Sequence, residues 1–226
     1  MESRQGDIMS KTDGVAAKSR VTELAYNAIE TLIATLKLEP GQDIVESDLV
    51  QMTGLGRTPI REALMRLVAR GLIEQQPRRG LRVSEIRIAE HLMLIETRRV
   101  LEQLIAAGAS RRATPTQREQ ILAHAQAMSD AAQRGDMQGY MDADRLLDQI
   151  IHEACRNPFA VQAVIPMVVQ CRRFWYAFQY EGDLEHGAQC HTRLAQGVAA
   201  ANVDQALDGA NALMDYLVSF TYKVIK

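Results

Sequence analysis

The chain has 226 residues, 47% hydrophobic and 24% charged, a balance that supports a packed core and excludes collagen-like, disordered and disulfide-scaffold chains. Its 26 Lys and Arg against 28 Asp and Glu give a formal charge of −2, and that average by itself argues against a polyanionic partner. Cys155, Cys171 and Cys190 lack the paired spacing of a zinc ribbon or disulfide framework, which suits a reducing cytoplasm. No apolar run nears the roughly 20 residues that cross a bilayer, so neither export nor a membrane span is expected.

Residues 1–19 are polar and aperiodic and are expected to form a loose tail, because they bury too little surface to offset their ordering entropy. From Val21 the apolar positions Leu24, Ala25, Ala28, Ile29, Leu32 and Ile33 keep helical spacing and predict a helix over about 21–37, stopped by Pro40-Gly41. Residues 46–53 predict a two-turn helix closed by Gly54, where a left-handed backbone ends it. A second helix follows, with Thr58 as N-cap, Pro59 at its first position and the stripe Ile60, Ala63, Leu64, Leu67, Val68 running to Gly71. Two short helices joined by Gly54-Leu55-Gly56 make a helix-turn-helix. Leu72–Glu74 and Leu81–Val83 alternate as short strands around Pro77-Arg78-Arg79-Gly80, which adds a wing. Beyond Ile86 only helical periodicity remains, over about 87–110, 115–134, 137–156, 158–180, 186–201 and 203–225. The fold expected is mainly α: a tail over 1–19, a winged helix-turn-helix over 20–84, and an all-helical bundle over 85–226.

Charge follows the same division. Between Arg57 and Arg82 there are seven basic residues and two acidic ones, whereas 23–48 carries six acids against Lys37 and 85–226 carries 14 bases against 17 acids. The neutral total hides a basic stripe suited to DNA phosphates. Arg57, Arg61 and Arg66 lie on the helix that a helix-turn-helix lays in the major groove, where arginine pairs bidentately with guanine. Arg78 and Arg79 at the hairpin tip are placed to reach a neighbouring minor groove.

The bundle holds a second irregularity. At 100° per residue, Arg98 lies in line with Leu94, Leu101 and Ile105, with Glu102 beside it; Asp144 and Asp148 flank Leu147 and Ile151; and His191 sits among Leu194, Ala195 and Val198. A buried charge without a partner costs several kcal/mol. These groups are therefore expected to face one another, a metal or a polar cavity. Their donor chemistry suits a divalent ion, Zn²⁺, Mn²⁺ or Ni²⁺, on Asp144, Asp148 and His191. Arg98 could neutralise a ligand carboxylate with or without that ion.

The run Pro40-Gly41, Glu46, Leu49, Gly54-Leu55-Gly56-Arg57-Thr58-Pro59-Ile60-Arg61-Glu62-Ala63-Leu64, Leu67, Gly71-Leu72-Ile73 and Arg79-Gly80 resembles the DNA-binding domain of GntR-family transcriptional regulators. Gly56 stands where that family commonly has Ser or Thr. The resemblance implies DNA contacts from Arg57, Thr58, Arg61 and Gly80, with Ser47 near the backbone. The remainder resembles the FCD-type effector domain of the FadR-like subgroup, through Arg98-x-x-Leu101-Glu102, Asp144 to Asp148, Asn157-Pro158, Arg172 to Trp175 and His191. It implies a small effector, often a carboxylate and often held through a metal, and a homodimer on a near-palindromic duplex operator. Asn211 is grouped with Arg98, Glu102, Asp144, Asp148 and His191 as effector-binding. Asp148 occupies a position where metal-binding members carry histidine, and the stretch Asn211–Asp215 has none, so the sequence leaves the metal open. A ligand-responsive regulator, and a repressor, is the function expected, over a metal-dependent hydrolase or an architectural DNA binder.

Overall fold

The computed structural model describes residues 3–179 and 183–225. Tyr180 and the break expected at Glu181-Gly182 lie outside them, as do Met1 and Glu2. The described residues separate into two compact units. Unit 1 takes in the chain up to Ile86 together with Arg172–Ala177, and unit 2 takes in Arg87–Cys171 and the segment from Phe178 onward.

Unit 1 contains α1 (Ser3–Ala34), β1 (Asp43–Ile44), α2 (Glu46–Thr53), α3 (Arg57–Ala69), β2 (Ile73–Gln76) and β3 (Gly80–Val83). Helix α1 begins at Ser3, so the backbone is helical through most of the segment expected to be a tail. Lengthening an existing helix costs far less than nucleating one, and Val21 to Ala34 supplies the nucleus. Ala25, Ile29 and Ile33 of α1 close over Leu49 of α2 and over Ile60, Ala63, Leu64 and Leu67 of α3, all buried. The sheet order is β1-β3-β2, antiparallel throughout. The two-residue strand β1, which pairs Asp43 with Arg82 and Ile44 with Leu81, was too short to show alternation. Gly54 ends α2 at φ 69°, and Gly80 enters β3 at φ 89°, both backbone conformations that favour glycine.

Unit 2 is wholly helical: α4 (Ile88–Arg112), α5 (Pro115–Gln133), α6 (Met137–Cys155), α7 (Pro158–Phe178, of which the part up to Cys171 belongs here), α8 (Asp183–Ala199) and α9 (Val203–Ile225). These spans fall close to the periodic segments, because several starts carry a readable stop or cap. Thr114 and Gln117 form a capping box before Pro115, and Asn157 caps the N–H of Ala160. Helix α4 packs against α6, α8 and α9, so its buried residues look onto three neighbours at once. At the α8/α9 crossing the backbones nearly touch: a methyl on Gly197 would run into Ala206, and one on Gly209 into the Leu194 backbone. Among the described residues no helix is long and apolar enough to cross a membrane.

The closeness of that crossing is testable. Gly209→Ala forces main chain against main chain with no flexible side chain to yield, and should cost about 3 kcal/mol. A thermal-melting comparison should show the midpoint falling by about 6–12 °C; an unchanged midpoint would mean the helices are not in backbone contact.

Candidate functional site

On unit 1, α3 packs its apolar stripe inward, and the i, i+4 rule then turns Arg57, Thr58, Arg61 and Met65 outward on one face. All four are exposed. The N-cap of α3 is Gly56 in extended backbone, and Thr58 lies one residue inside the helix. The sequence favoured Thr58 because its hydroxyl suits a cap, but without side-chain capping the first-turn N–H groups of α3 stay available to a phosphate oxygen. Arg61 is pinned by Glu46, Nε to Oε2 at 2.7 Å, and both side chains are substantially solvated. Such a pair is weak and exchangeable. Ser47 is exposed and donates to Asp48 Oδ1 at 3.2 Å. Arg78, Arg79 and Gly80 are exposed at the wing tip, with Arg78 at φ 64°.

Arg66 departs from the expectation. Its guanidinium lies over the Tyr26 ring, 4.3 Å from the centroid, and donates to Glu23 at 2.8 Å. Arg70 donates to the Tyr26 hydroxyl at 3.0 Å. Burial, then the charge of and hydrogen bond to Glu30, push the Tyr26 phenol well above its ordinary range. Arg66 and Arg70 thus tie α3 to α1 by stacking, since they project from the side of α3 that faces that helix. Met65, which the sequence reading passed over, continues the outward face one turn beyond Arg61.

In unit 2 the three helices bring most of the chosen residues together. Arg98 and Glu102 of α4 form a buried ion pair, Nη2 to Oε1 at 2.8 Å, with Nε donating to the same oxygen at 2.8 Å. Asp144 of α6 meets His191 of α8, Oδ1 to Nε2 at 3.1 Å, and the other ring nitrogen lies 2.8 Å from the Gly187 carbonyl. The Asp148 charge acts on both Arg98 and His191, which marks the two pairs as one cluster. Burial alone would lower the His191 pKa. The Asp144 hydrogen bond and the charges of Asp144 and Asp148 outweigh it and hold the ring above its ordinary range. An acceptor at each ring nitrogen agrees with that direction, because the protonated ring can donate to both.

These contacts bear on the expected metal. Nδ1 faces a carbonyl, the partner that the second nitrogen of a metal-ligating histidine commonly has, while Nε2 is taken up by Asp144. Among the described residues no group of three or more His, Cys, Asp or Glu is arranged to hold a metal. As they stand, Asp144, Asp148 and His191 form ionic contacts with one another and are not arranged as a set of three ligands. Asn211 is also placed elsewhere: its side-chain oxygen accepts from Gln103 at 2.7 Å and from Arg99 at 3.5 Å. Arg99 and Gln103 lie 100° around α4 from Arg98 and Glu102, and α9 covers that neighbouring face.

Four participants escaped the sequence reading. His91 is buried near Arg98. Cys171 of α7 is near enough to act on the Arg98 charge. The phenol oxygens of Tyr140 and Tyr216 converge on Gly187, the residue that orients His191. Single aromatic or sulfur side chains at apolar positions read as ordinary core, so nothing in the periodicity separates them from it.

Comparison with known proteins follows the same division. A family profile described as "Bacterial regulatory proteins, gntR family" matches residues 22–83, and one described as "FCD domain" matches 93–216. An uncharacterized HTH-type transcriptional regulator from Agrobacterium vitis is 30% identical over 135 residues, 58% of this chain and 78% of its own length. A probable D-xylose utilization operon transcriptional repressor from Paenarthrobacter nicotinovorans is 22% identical over 198 residues, 88% of this chain and 87% of its own. Among solved structures, Escherichia coli McbR/YncC superposes with a TM-score of 0.77 at 20% identity, covering 91% of this chain and 99% of that one, a likeness of fold.

His91 yields a pH test. Burial, reinforced by the Arg98 charge, pushes its pKa down to about 4. Between there and the unfolded value near 6.5 the unfolded chain binds a proton that the folded one does not. The contribution is therefore complete above about pH 6.5 and lost as pH falls toward 4, about 3 kcal/mol in all. Denaturant unfolding of His91→Gln across pH 7 to 4 should show that much less acid destabilisation; parallel curves for the two proteins would place His91 in solvent.

Proposed function

The chain belongs to the GntR family of bacterial transcriptional regulators and carries an FCD effector-binding domain, and from that premise we propose how its residues divide the work. Operator DNA meets Arg57, Thr58, Arg61 and Met65 in the major groove, with Ser47 against the backbone and Arg79 and Gly80 of the wing in the adjacent minor groove. Arg61 exchanges Glu46 for a base edge or phosphate at small cost, since an exposed pair contributes about 0–1 kcal/mol. Arg66 positions α3 and reads nothing. Two copies, as a homodimer, set two such faces about one helical turn of DNA apart.

The effector is a small organic acid whose carboxylate is received by the Arg98 and His191 cations in the buried cluster. The observation that carries this reading is that cluster: Arg98, Glu102, Asp144, Asp148 and His191, five ionisable side chains from three helices in a helical core. Nothing in packing alone calls for it, because apolar residues of similar volume would serve stability as well or better. The role proposed for it needs no Zn²⁺, Mn²⁺ or Ni²⁺: the imidazolium supplies the positive charge that an ion would bring. Binding shifts the population of operator-competent dimers. Repression agrees with the name of the Paenarthrobacter relative, and a soluble cytoplasmic regulator agrees with the whole.

A thermal-shift screen of small organic acids, each with and without EDTA, tests the effector half. An acid present at 100 times its Kd should stabilise by about 2.7 kcal/mol, equally in both arms, and not in Arg98→Ala. Loss of the shift with EDTA would instead put an ion on Asp144 and His191. For the DNA half, Arg57→Ala or Arg61→Ala should weaken duplex binding and lower the slope of log affinity against log salt by about 1. Arg66→Ala should lower the melting point of unit 1 while leaving the base preference alone; an altered base preference would return Arg66 to the groove.

A further inference from the structure

Within unit 2, helix α4 carries apolar side chains on two opposite sides. On the inner side Ile95, Ile105 and Ala109 are buried together with Arg98 and Glu102. At 100° per residue, Met93, Val100 and Leu104 fall within about 40° of one another on the other side. They are 59%, 68% and 53% exposed. Ala107, half-buried, and Thr97, exposed, lie on the same strip. The Thr97 hydroxyl donates to the Met93 carbonyl at 3.0 Å, so its hydrogen-bonding capacity is spent on its own helix. The result is an outer apolar strip about 16 Å long, three turns of helix. A surface helix ordinarily presents charge in that direction, and a helix apolar on both sides is one that is covered on both sides.

The charges at the ends of the strip say what covers it. Glu90 in the first turn of α4 and Arg111 in the last are both exposed, and they lie about 15 and 16 Å from Val100 along the helix axis. Turned antiparallel about a two-fold axis at Val100, a second copy of α4 brings its Arg111 to Glu90 and its Glu90 to Arg111. Thr97 of each copy then meets Leu104 of the other, and the two Val100 side chains meet at the axis. Such a surface is self-complementary in the way a two-fold contact requires. Parallel pairing would set like charges against each other at both ends. Glu90 is held within its own chain only by Arg87, Nη1 to Oε1 at 3.4 Å with both side chains exposed, a weak pair that is easily exchanged.

We propose that the outer strip of α4 is a two-fold interface with a second copy of this chain, Met93, Val100 and Leu104 at its centre and Glu90 of each copy against Arg111 of the other at its ends. The proposal rests on the homodimer reading above and deepens it by assigning the surface that joins the copies. Arg98 and Glu102 lie on the inner side of the same helix, so the dimer contact and the ionic cluster are separated by one helix diameter, about 10 Å.

The test is sedimentation of the full-length protein over a dilution series, with circular dichroism to show that each variant keeps its helices. Val100→Glu sets two carboxylates against each other at the axis and should raise the dimer Kd at least about 100-fold. Glu90→Arg and Arg111→Glu, each made singly, should raise it about 10-fold, and the two together should bring it back to within about 3-fold of the wild type, because the complementarity is restored with its sign reversed. If the single reversals change nothing, or the double reversal recovers nothing, the copies meet elsewhere and the assignment is wrong while the homodimer stands. Pairing left intact by Val100→Glu would give the strip to another macromolecule and overturn the proposal in the same way. A wild-type chain that is monomeric throughout the series would overturn the homodimer reading itself.

Discussion

A charge moved out of water must find an opposite charge, and the helical unit is organised by that requirement. Arg98, Glu102, Asp144, Asp148 and His191 are each about one-tenth exposed or less, deep enough that removing any one partner costs on the order of 3–5 kcal/mol. Because α4, α6 and α8 each contribute, the cluster fixes how those helices meet. Apolar packing supplies the stability, and Gly197 and Gly209 let the α8 and α9 backbones approach. The ionic pairs supply the register. They also leave a polar interior in a helical core.

The DNA-reading unit applies the same physics at its surface with the opposite result. Arg61–Glu46 and Arg82–Asp43 are exposed ion pairs, weak enough to be surrendered to phosphate. Arg66 and Arg70, drawn over Tyr26, are fixed by stacking as well as charge and hold α3 against α1. Two classes of arginine thus share one short helix. What separates them is the direction in which each leaves it, and the sign of their charge tells nothing of that.

The layout of the chain was legible because each boundary carries a local signal: Gly54 closing α2, Thr114-Pro115 opening α5, Asn157-Pro158 opening α7. The inward charges were legible because periodicity places Arg98, Asp144, Asp148 and His191 among apolar neighbours. What stayed hidden depends on contacts far apart in sequence. Arg66 differs from Arg61 through Tyr26 and Glu23, about 40 residues away. Asn211 belongs with Arg99 and Gln103 because α9 crosses α4 on that side, a fact of packing that a single helix cannot disclose. Arg173 read equally well as a surface or a pocket residue until its bond to Ser84 placed it. The metal stayed open for a related reason, since residue types gave suitable donors and said nothing of where their lone pairs point.

The claim at the centre is that the buried ionic cluster is where a small acid binds. Histidine ring resonances report on it directly, because His91 and His191 are buried at the cluster while His124 and His152 are only partly covered and belong to other faces of the helices. With ¹³C-histidine-labelled protein titrated with a stabilising acid, the signals of His91 and His191 should move and saturate together while those of His124 and His152 hold still. Saturable shifts at His124 or His152, with the two buried rings unmoved, would place the ligand elsewhere and contradict the claim.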